Sequence, residues 1–123
     1  RDYGCEREIF GRPIARNQGI QFPIARAYSA MRSAELMLNE AFRMYEAGQN
    51  PGEEANLAKL QSADASWQAA EACIQTFGGF GFATEYNIER KYREARLYQV
   101  APISTNLILS YIAEHVLKMP RSY

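Results

Sequence analysis

Apolar residues recur at spacings of three and four along most of this chain, which is the pattern of one buried face on an α-helix. The longest stretch begins near Ile20 and ends at Gly48, and a second runs from Asn50 to Phe77. The first apolar stripe consists of Ile20, Ile24, Ala27, Tyr28, Met31, Ala34, Leu38, Ala41, Phe42 and Tyr45. The second consists of Leu57, Leu60, Ala63, Trp67, Ala70, Ile74 and Phe77. Both stretches predict long amphipathic helices.

Residues that start and stop helices divide the pattern. Asn50 can cap a helix, and Pro51 fits the first helical position. The glycines at 78 and 79 end that helix. Pro23 suits the first turn of the earlier helix, where its missing N–H costs nothing, and it would kink a helix that started sooner.

Three shorter segments complete the organisation. Residues 1–9 predict the last turns of a truncated first helix, with Gly11 as its C-terminal cap and Pro13 preventing continuation. A charged helix is predicted over residues 85–99, and a last helix over 104–118. No strand alternation is found in the sequence. We therefore expect an all-α fold, an antiparallel up-down helical bundle, in a single domain over residues 1–123.

Composition narrows the possible functions. Hydrophobic residues make up 47% of the chain and charged residues 23%, which are values typical of globular domains. Fourteen basic and fourteen acidic residues cancel, so no electrostatic argument favours nucleic acid or an anionic membrane. No apolar run is long enough for a membrane span. Cys5 and Cys73 show no ligand spacing and are most simply free thiols, which favours a cytoplasmic location.

The stretch over residues 75–82, Gln-Thr-Phe-Gly-Gly-Phe-Gly-Phe, is the strongest candidate for function. Glycines allow another body to approach the backbone closely, and the phenylalanines favour burial. A polar cofactor with an apolar rim would suit such a surface, although a glycine cap followed by a hydrophobic loop gives the same pattern. His115 is the only histidine and forms no Glu-x-x-His pair, so no metal site is predicted.

Four segments follow one another in a recognisable order, over residues 7–14 with Gln18 downstream, 75–81, 89–96 and 97–100. The first contains an Arg-x-x-Phe-Gly motif and the second a Gln-x-x-Gly-Gly-x-Gly motif. Together they resemble the C-terminal helical domain of the acyl-CoA dehydrogenases, essentially from end to end. The chain would then be the C-terminal portion of a longer flavoenzyme and inactive by itself.

The resemblance implies FAD as the cofactor and α,β-dehydrogenation of an acyl-CoA substrate as the reaction. It also implies a homodimer or homotetramer and an electron-transfer acceptor. By this resemblance, Arg7 would reach the pyrophosphate of FAD in a neighbouring subunit. A guanidinium suits that role as a permanent bidentate donor. The cofactor-binding residues implied by match are Arg7, Phe10, Gln18, Gln75, Gly78, Gly79, Ser104 and Asn106.

One departure from the family pattern concerns the catalytic base. Many members carry a glutamate where this chain has Pro102, and proline accepts no proton. Glu94 and Glu114 are acidic alternatives, but surface ion pairing is the usual fate of such residues. The catalytic residue is therefore unknown. Three interpretations remain open: a dehydrogenase whose base lies elsewhere, a helical assembly module, and a non-redox relative.

Overall fold

Helices account for nearly all regular structure in residues 1–122, which are the residues described by the computed structural model. In chain order the elements are α1 (Asp2–Glu6), β1 (Glu8–Ile9), β2 (Arg12–Pro13), α2 (Gln18–Glu46), α3 (Gly52–Phe77), α4 (Ile88–Tyr98) and α5 (Thr105–Tyr111). Short 3-10 turns span Ile14–Arg16, Gly78–Phe82 and Thr84–Tyr86, and a π-helical turn, Ile112–Val116, extends α5. The all-α class predicted from the sequence is confirmed.

Alanines at seven-residue intervals form the seam between α2 and α3. The pairs that line shared clefts are Ala27 with Ala72, Ala34 with Ala65, and Ala41 with Ala58. All six are buried. A seven-residue repeat keeps one narrow stripe facing the partner helix, and the small side chains let the two backbones approach. The short link over residues 47–51 makes this pair an antiparallel hairpin.

The larger residues of the predicted α2 stripe are not covered within this part of the chain. Tyr28 is 64% exposed, Phe42 58% and Tyr45 73%. The alanines of the same stripe contact α3, so the contact is narrower than the stripe. A broad apolar face of α2 therefore stays open in the described residues.

The C-terminal helices pack on another face of α3. Gln99 donates from Nε2 to Asp64 Oδ1 at 3.2 Å, and Lys59 donates to the Tyr98 carbonyl. The Trp67 and Tyr92 rings lie 4.6 Å apart between α3 and α4. Ile108 of α5 is only 1% exposed. These contacts fix α4 and α5 along the middle of α3.

The start of the chain differs from the prediction. α1 ends at Glu6, and residues 8–13 form a two-stranded antiparallel hairpin in which Ile9 pairs with Arg12. Phe10 and Gly11 occupy its turn with φ of +54° and +72°. Positive φ at both central positions is typical of a type I′ hairpin turn. The expectation of no strands was therefore wrong here, and Gly11 is a turn residue rather than a helix cap.

Helix boundaries shift by a few residues elsewhere. The backbone N–H groups of Ile20 and Gln21 both donate to the Asn17 carbonyl at 3.0 Å, so α2 starts before the predicted Ile20. Pro23 consequently lies in the second turn rather than the first. At the start of α3, the Gly52 N–H donates to Asn50 Oδ1 at 3.0 Å, which agrees with the predicted cap.

Candidate functional site

A cleft of about 810 Å³ lies where α1, the hairpin and the start of α2 meet the C-terminal end of α3. Five residues predicted from the sequence line it together: Arg7, Phe10, Gln75, Gly78 and Gly79. They come from sequence positions almost seventy residues apart, and the fold brings them to one surface. This convergence makes the cleft the candidate site.

Stacked aromatic rings build the floor of the cleft. Tyr3 of α1 stacks on Phe77 with ring centroids 3.9 Å apart, and Tyr86 meets Phe77 edge-on at 5.2 Å. The Phe80 ring lies 5.7 Å from Tyr86. The Arg7 guanidinium carbon lies 5.5 Å from the Phe80 centroid, a cation–π arrangement. The rings therefore hold the arginine against the glycine loop.

The polar groups of the cleft favour an anion. Its lining residues include two arginines, Arg7 and Arg12, and none of the described residues that line it is a carboxylate. Arg12 donates to Asn17 Oδ1 at 3.3 Å, and Asn17 Nδ2 donates to the Ile14 carbonyl at 3.1 Å. Guanidinium groups bind phosphate oxygens in bidentate geometry. A phosphate-bearing ligand thus fits the charge of this cleft.

The glycine loop is open toward the cleft at one position in particular. A Cβ built on Gly79 meets no atom within 4 Å, and Gly79 has no positive φ. Gly81 differs, because its Cβ would lie 2.9 Å from Ile74 Cγ1 and 3.0 Å from the Ile74 carbonyl oxygen. Packing within the chain explains the second glycine. It does not explain Gly79, whose missing side chain leaves room for an external group.

Phe10 is fully exposed at the hairpin tip, with φ of +54°. A left-handed backbone is unfavourable for a bulky residue, and an exposed ring gains nothing from burial. Both costs fall on one residue that lines the cleft. Strain of this kind concentrates at functional sites.

Three predicted residues lie outside this cleft within one chain. Gln18 is exposed at the start of α2, beside the lining residue Asn17. Ser104 Oγ accepts a hydrogen bond from the Leu107 N–H at 3.3 Å and so caps α5, while Asn106 is exposed. The segment leading to Ser104 is pinned to α3 near Asp64, about 16 Å along the helix from Gln75. The assignment of these three residues to the cofactor stays a prediction.

Nine lining residues were not among the predicted cofactor-binding residues, and four of the nine are Tyr3, Arg12, Asn17 and Phe80. Arg12 lies inside the Arg-x-x-Phe-Gly segment, and Phe80 inside the glycine loop, so those motifs carried a usable signal. No sequence signal marked Tyr3, since its place in the cleft depends on stacking with Phe77, more than seventy positions away.

The charged helix α4 bears exposed ion pairs, as its charge pattern predicts. Glu94 lies 2.8 Å from Lys91 Nζ and 3.8 Å from Arg90 Nε, and Glu89 lies 2.9 Å from Arg93. The hydrogen bond from Lys91 holds the pKa of Glu94 below its ordinary value. A lowered pKa suits a surface ion pair more than a general base.

Three further findings concern the cysteines, metal-binding groups and helix hydropathy. Cys5 and Cys73 are both free, as predicted, and both are exposed. Residues 1–122 hold no group of three or more histidine, cysteine, aspartate or glutamate side chains arranged to bind a metal ion. Within the same residues, no helix has the length and apolar character needed to cross a bilayer.

Comparison with known proteins identifies the family. The sequence model of the acyl-CoA dehydrogenase C-terminal domain matches residues 1–117. The chain therefore belongs to the acyl-CoA dehydrogenase family and corresponds to its C-terminal domain.

Relatives and solved structures agree with this assignment. The chain is 36% identical over 124 residues to acyl-CoA dehydrogenase FadE12 of Mycobacterium tuberculosis H37Rv, a match covering 99% of this chain and 32% of that protein. It is 35% identical over 122 residues to the mitochondrial short-chain specific acyl-CoA dehydrogenase of Sus scrofa, covering 98% of this chain and 30% of that protein. The structure of butyryl-CoA dehydrogenase from Megasphaera elsdenii superposes with a TM-score of 0.90 at 25% identity, covering 94% of this chain and 30% of that one. The chain thus spans about a third of the length of these relatives.

Proposed function

We propose that this chain is the C-terminal domain of a longer FAD-dependent acyl-CoA dehydrogenase and that its cleft forms one wall of an FAD site. The observation that carries the proposal is the juxtaposition of Arg7 with the open backbone of Gly79 in one cleft. An arginine supplies charge for a diphosphate, and the bare glycine lets a flat or extended group lie against the backbone.

FAD fits the residues that line the cleft. Arg7 and Arg12 can pair with its pyrophosphate, and Asn17 and Gln75 offer amide groups for its ribose, ribityl or ring atoms. Phe10 gives an exposed apolar surface against which a ring system can pack. By charge alone, the same cleft would also suit other nucleotide diphosphates. Membership of the acyl-CoA dehydrogenase family is what favours FAD over them.

The chemistry divides between the cofactor and the rest of the enzyme. When bound, FAD supplies a hydride acceptor for the β-carbon of an acyl thioester. This domain would hold the cofactor and screen its charge. Pro102 cannot remove the α-proton, so the proposed dehydrogenase takes its base from another position.

The related proteins guide the choice of substrate and partner. Solved relatives include butyryl-CoA dehydrogenase and glutaryl-CoA dehydrogenase with glutaryl-CoA, and an electron transferring flavoprotein of Acidaminococcus fermentans shares the fold. We propose an acyl-CoA substrate and a protein electron acceptor on this basis. A cytoplasmic location remains our proposal and is supported by the two free thiols.

An assembly module is the second candidate function. The broad apolar face of α2, with Tyr28, Phe42 and Tyr45 exposed, favours it. A homodimer or homotetramer would cover this face, and assembly and cofactor binding can coexist in one domain. Replacing Arg7 and Gln75 by alanine separates the two, since a pure assembly module would keep any flavin affinity of the protein.

Flavin content and reduction test the proposed function. The full-length polypeptide that contains this chain should purify with a flavin absorption band, which should bleach when an acyl-CoA is added without oxygen. A series from short-chain to long-chain and branched acyl-CoA would be needed. A colourless protein would contradict the FAD proposal. A bound flavin that no acyl-CoA reduces would favour the non-redox interpretation.

A further inference from the structure

The side chain of Gln75 is tied to a carboxylate one helical turn earlier. Gln75 Nε2 donates to Glu71 Oε1 at 3.3 Å along α3. Residues four apart on a helix lie on the same face, so this pairing is natural for an exposed amide. Gln75 borders the candidate cleft and also two smaller clefts that Glu71 lines. Its amide therefore has several directions open to it.

Glu71 is itself held by α4. Tyr92 and Glu71 line the same small cleft, and the pKa of Tyr92 is raised by burial first and by interaction with the Glu71 carboxylate second. The Tyr92 ring lies 4.6 Å from Trp67, and Arg96 lies 5.8 Å above the Trp67 ring. The Glu71 carboxylate thus lies between the packed Tyr92 side chain and the Gln75 amide that it binds.

The Glu71 carboxylate determines which end of the Gln75 amide it binds. Ionised Glu71 only accepts hydrogen bonds, so it takes an N–H of Gln75 and leaves the carbonyl oxygen and the second N–H free. An untethered glutamine would rotate and present either end, and ordering it on binding would cost side-chain entropy. The hydrogen bond to Glu71 orders the Gln75 side chain in advance and so removes part of that entropy cost before a ligand binds.

We propose that Glu71, supported by Tyr92, is a positioning residue that fixes the amide of Gln75 for the FAD site. The inference rests on the proposed function, because it requires Gln75 to contact the cofactor. Glu71 acts through Gln75 and touches no part of FAD itself. Tyr92 lies beside Glu71 in the cleft that both line with Gln75, so α4 supports this wall of the proposed cofactor site.

A double-mutant cycle on FAD affinity tests the proposal. FAD would be titrated into the full-length apo-protein, and dissociation constants compared for the wild type, Gln75→Ala, Glu71→Ala and the double variant. We expect Gln75→Ala to weaken binding by about tenfold and Glu71→Ala by about fivefold, the size of one or two hydrogen bonds. In the Gln75→Ala background, Glu71→Ala should cause no further loss, because its effect passes through the amide.

Two further variants separate positioning from general damage. Glu71→Gln keeps an acceptor oxygen and should restore most of the affinity lost in Glu71→Ala. Gln68→Ala, an exposed change one turn earlier on α3, should leave affinity unchanged. Thermal unfolding of each apo-variant, followed by circular dichroism, controls for loss of the fold.

The outcomes distinguish this inference from the proposed function. If Gln75→Ala leaves FAD affinity unchanged, Gln75 has no cofactor role and both the contact and its positioning are rejected. If Gln75→Ala weakens binding while Glu71→Ala does not, the cofactor wall stands and the positioning role is overturned. An equal loss from Glu71→Ala in both backgrounds would also overturn it, since Glu71 would then act by another route.

Discussion

Gly78, Gly79 and Gly81 lie within four residues of one another but need to be glycine for different reasons. Gly78 has φ of +57° and ends α3, a conformation that other residues adopt at a cost. Gly81 packs against Ile74, where a methyl group has no room. Gly79 has neither constraint within the described chain. Substitutions at Gly79 and Gly81 can therefore distinguish a glycine needed for ligand binding from one needed for packing.

Alanine substitutions should separate these two roles. Gly81→Ala should destabilise the fold by about 1–3 kcal/mol, the usual cost of overpacking, because its Cβ would meet Ile74 at 2.9 Å. Gly79→Ala should change stability by less than about 0.5 kcal/mol, as at an open surface position. It should nevertheless weaken FAD binding by the full-length protein. Chemical denaturation and flavin titration measure the two effects, and a Gly79→Ala protein with unchanged affinity would count against an external group at this position.

The pKa of Tyr92 makes a prediction about alkaline pH. Burial and the neighbouring Glu71 carboxylate raise it, so the folded state favours the neutral phenol. A raised folded pKa contributes stability below the ordinary tyrosine value of about 10, and that contribution is lost as pH rises through the folded pKa. Wild-type stability should therefore fall more steeply than that of Tyr92→Phe as the pH rises above about 10. The free energy of unfolding would be measured by urea denaturation at each pH. The same pH dependence in both proteins would show that ionisation of Tyr92 is not coupled to folding.

Single residues of the site were predictable where a local motif carried them. The stretch of Gln75 and the glycines stood out by its composition after a long helical pattern, whereas Arg7 was implied by the resemblance of its Arg-x-x-Phe-Gly motif to the family. Tyr3 and Asn17 join the cleft only through contacts made in the folded chain. Their sequence neighbourhoods contain no sign of that role, because stacking and loop hydrogen bonds depend on tertiary structure.

The hairpin between α1 and α2 is the element that sequence patterns missed. Its strands are two residues long, too short for alternation to be recognised. Asn-Gly is the usual type I′ pair, and this chain has Phe10-Gly11 instead. Gly11 was consistent with a helix cap, which also needs a positive φ. Phenylalanine at the first turn position, where asparagine is usual, thus hid the local signal.

Replacing Phe10 should reveal a conflict between stability and function. Phe10→Asn restores the preferred Asn-Gly turn and should stabilise the fold by about 1 kcal/mol, since it relieves left-handed strain on a bulky residue. It also removes the exposed ring, so FAD binding should weaken. Melting temperature and FAD affinity of the same variant give both readouts. A loss of stability on this change would mean that the Phe10 ring supports the hairpin.

The α2–α3 hairpin, in contrast, followed from periodicity and capping. The seven-residue alanine repeat sets a close helix pair, and its sensitivity to size can be measured. Ala34→Leu should destabilise the domain by about 1–3 kcal/mol, because Ala34 is buried where the two helices approach closely and a larger side chain would push them apart. Ala25→Leu on the exposed side of the same helix is the matched control and should be near neutral. A similar loss from both would show that helix propensity rather than packing decides stability here.

At the scale of the whole molecule, the described residues 1–122 combine the candidate cleft with an open apolar face on α2. The cleft lies at the C-terminal end of α3, and the face lies along α2. The sequence predicted the helical class and the family, but the apolar stripe of α2 suggested full burial. Its alanines at 27, 34 and 41 are buried while its large aromatic residues stay exposed, because the width of the buried stripe depends on how many partners surround a helix. Ser104 and Asn106 likewise lie away from the cleft, which the linear order of motifs did not indicate.

The central claim is that the cleft around Arg7 holds part of an FAD molecule. Dissociation constants for FAD, measured on full-length apo-protein carrying Arg7→Ala or Arg16→Ala, test it most directly. Arg16 is exposed on the following turn and does not line the cleft, so it controls for loss of one positive charge. We expect Arg7→Ala to weaken binding by about 2 kcal/mol, near thirtyfold, and Arg16→Ala to have little effect. Equal affinities in the two variants would contradict the account.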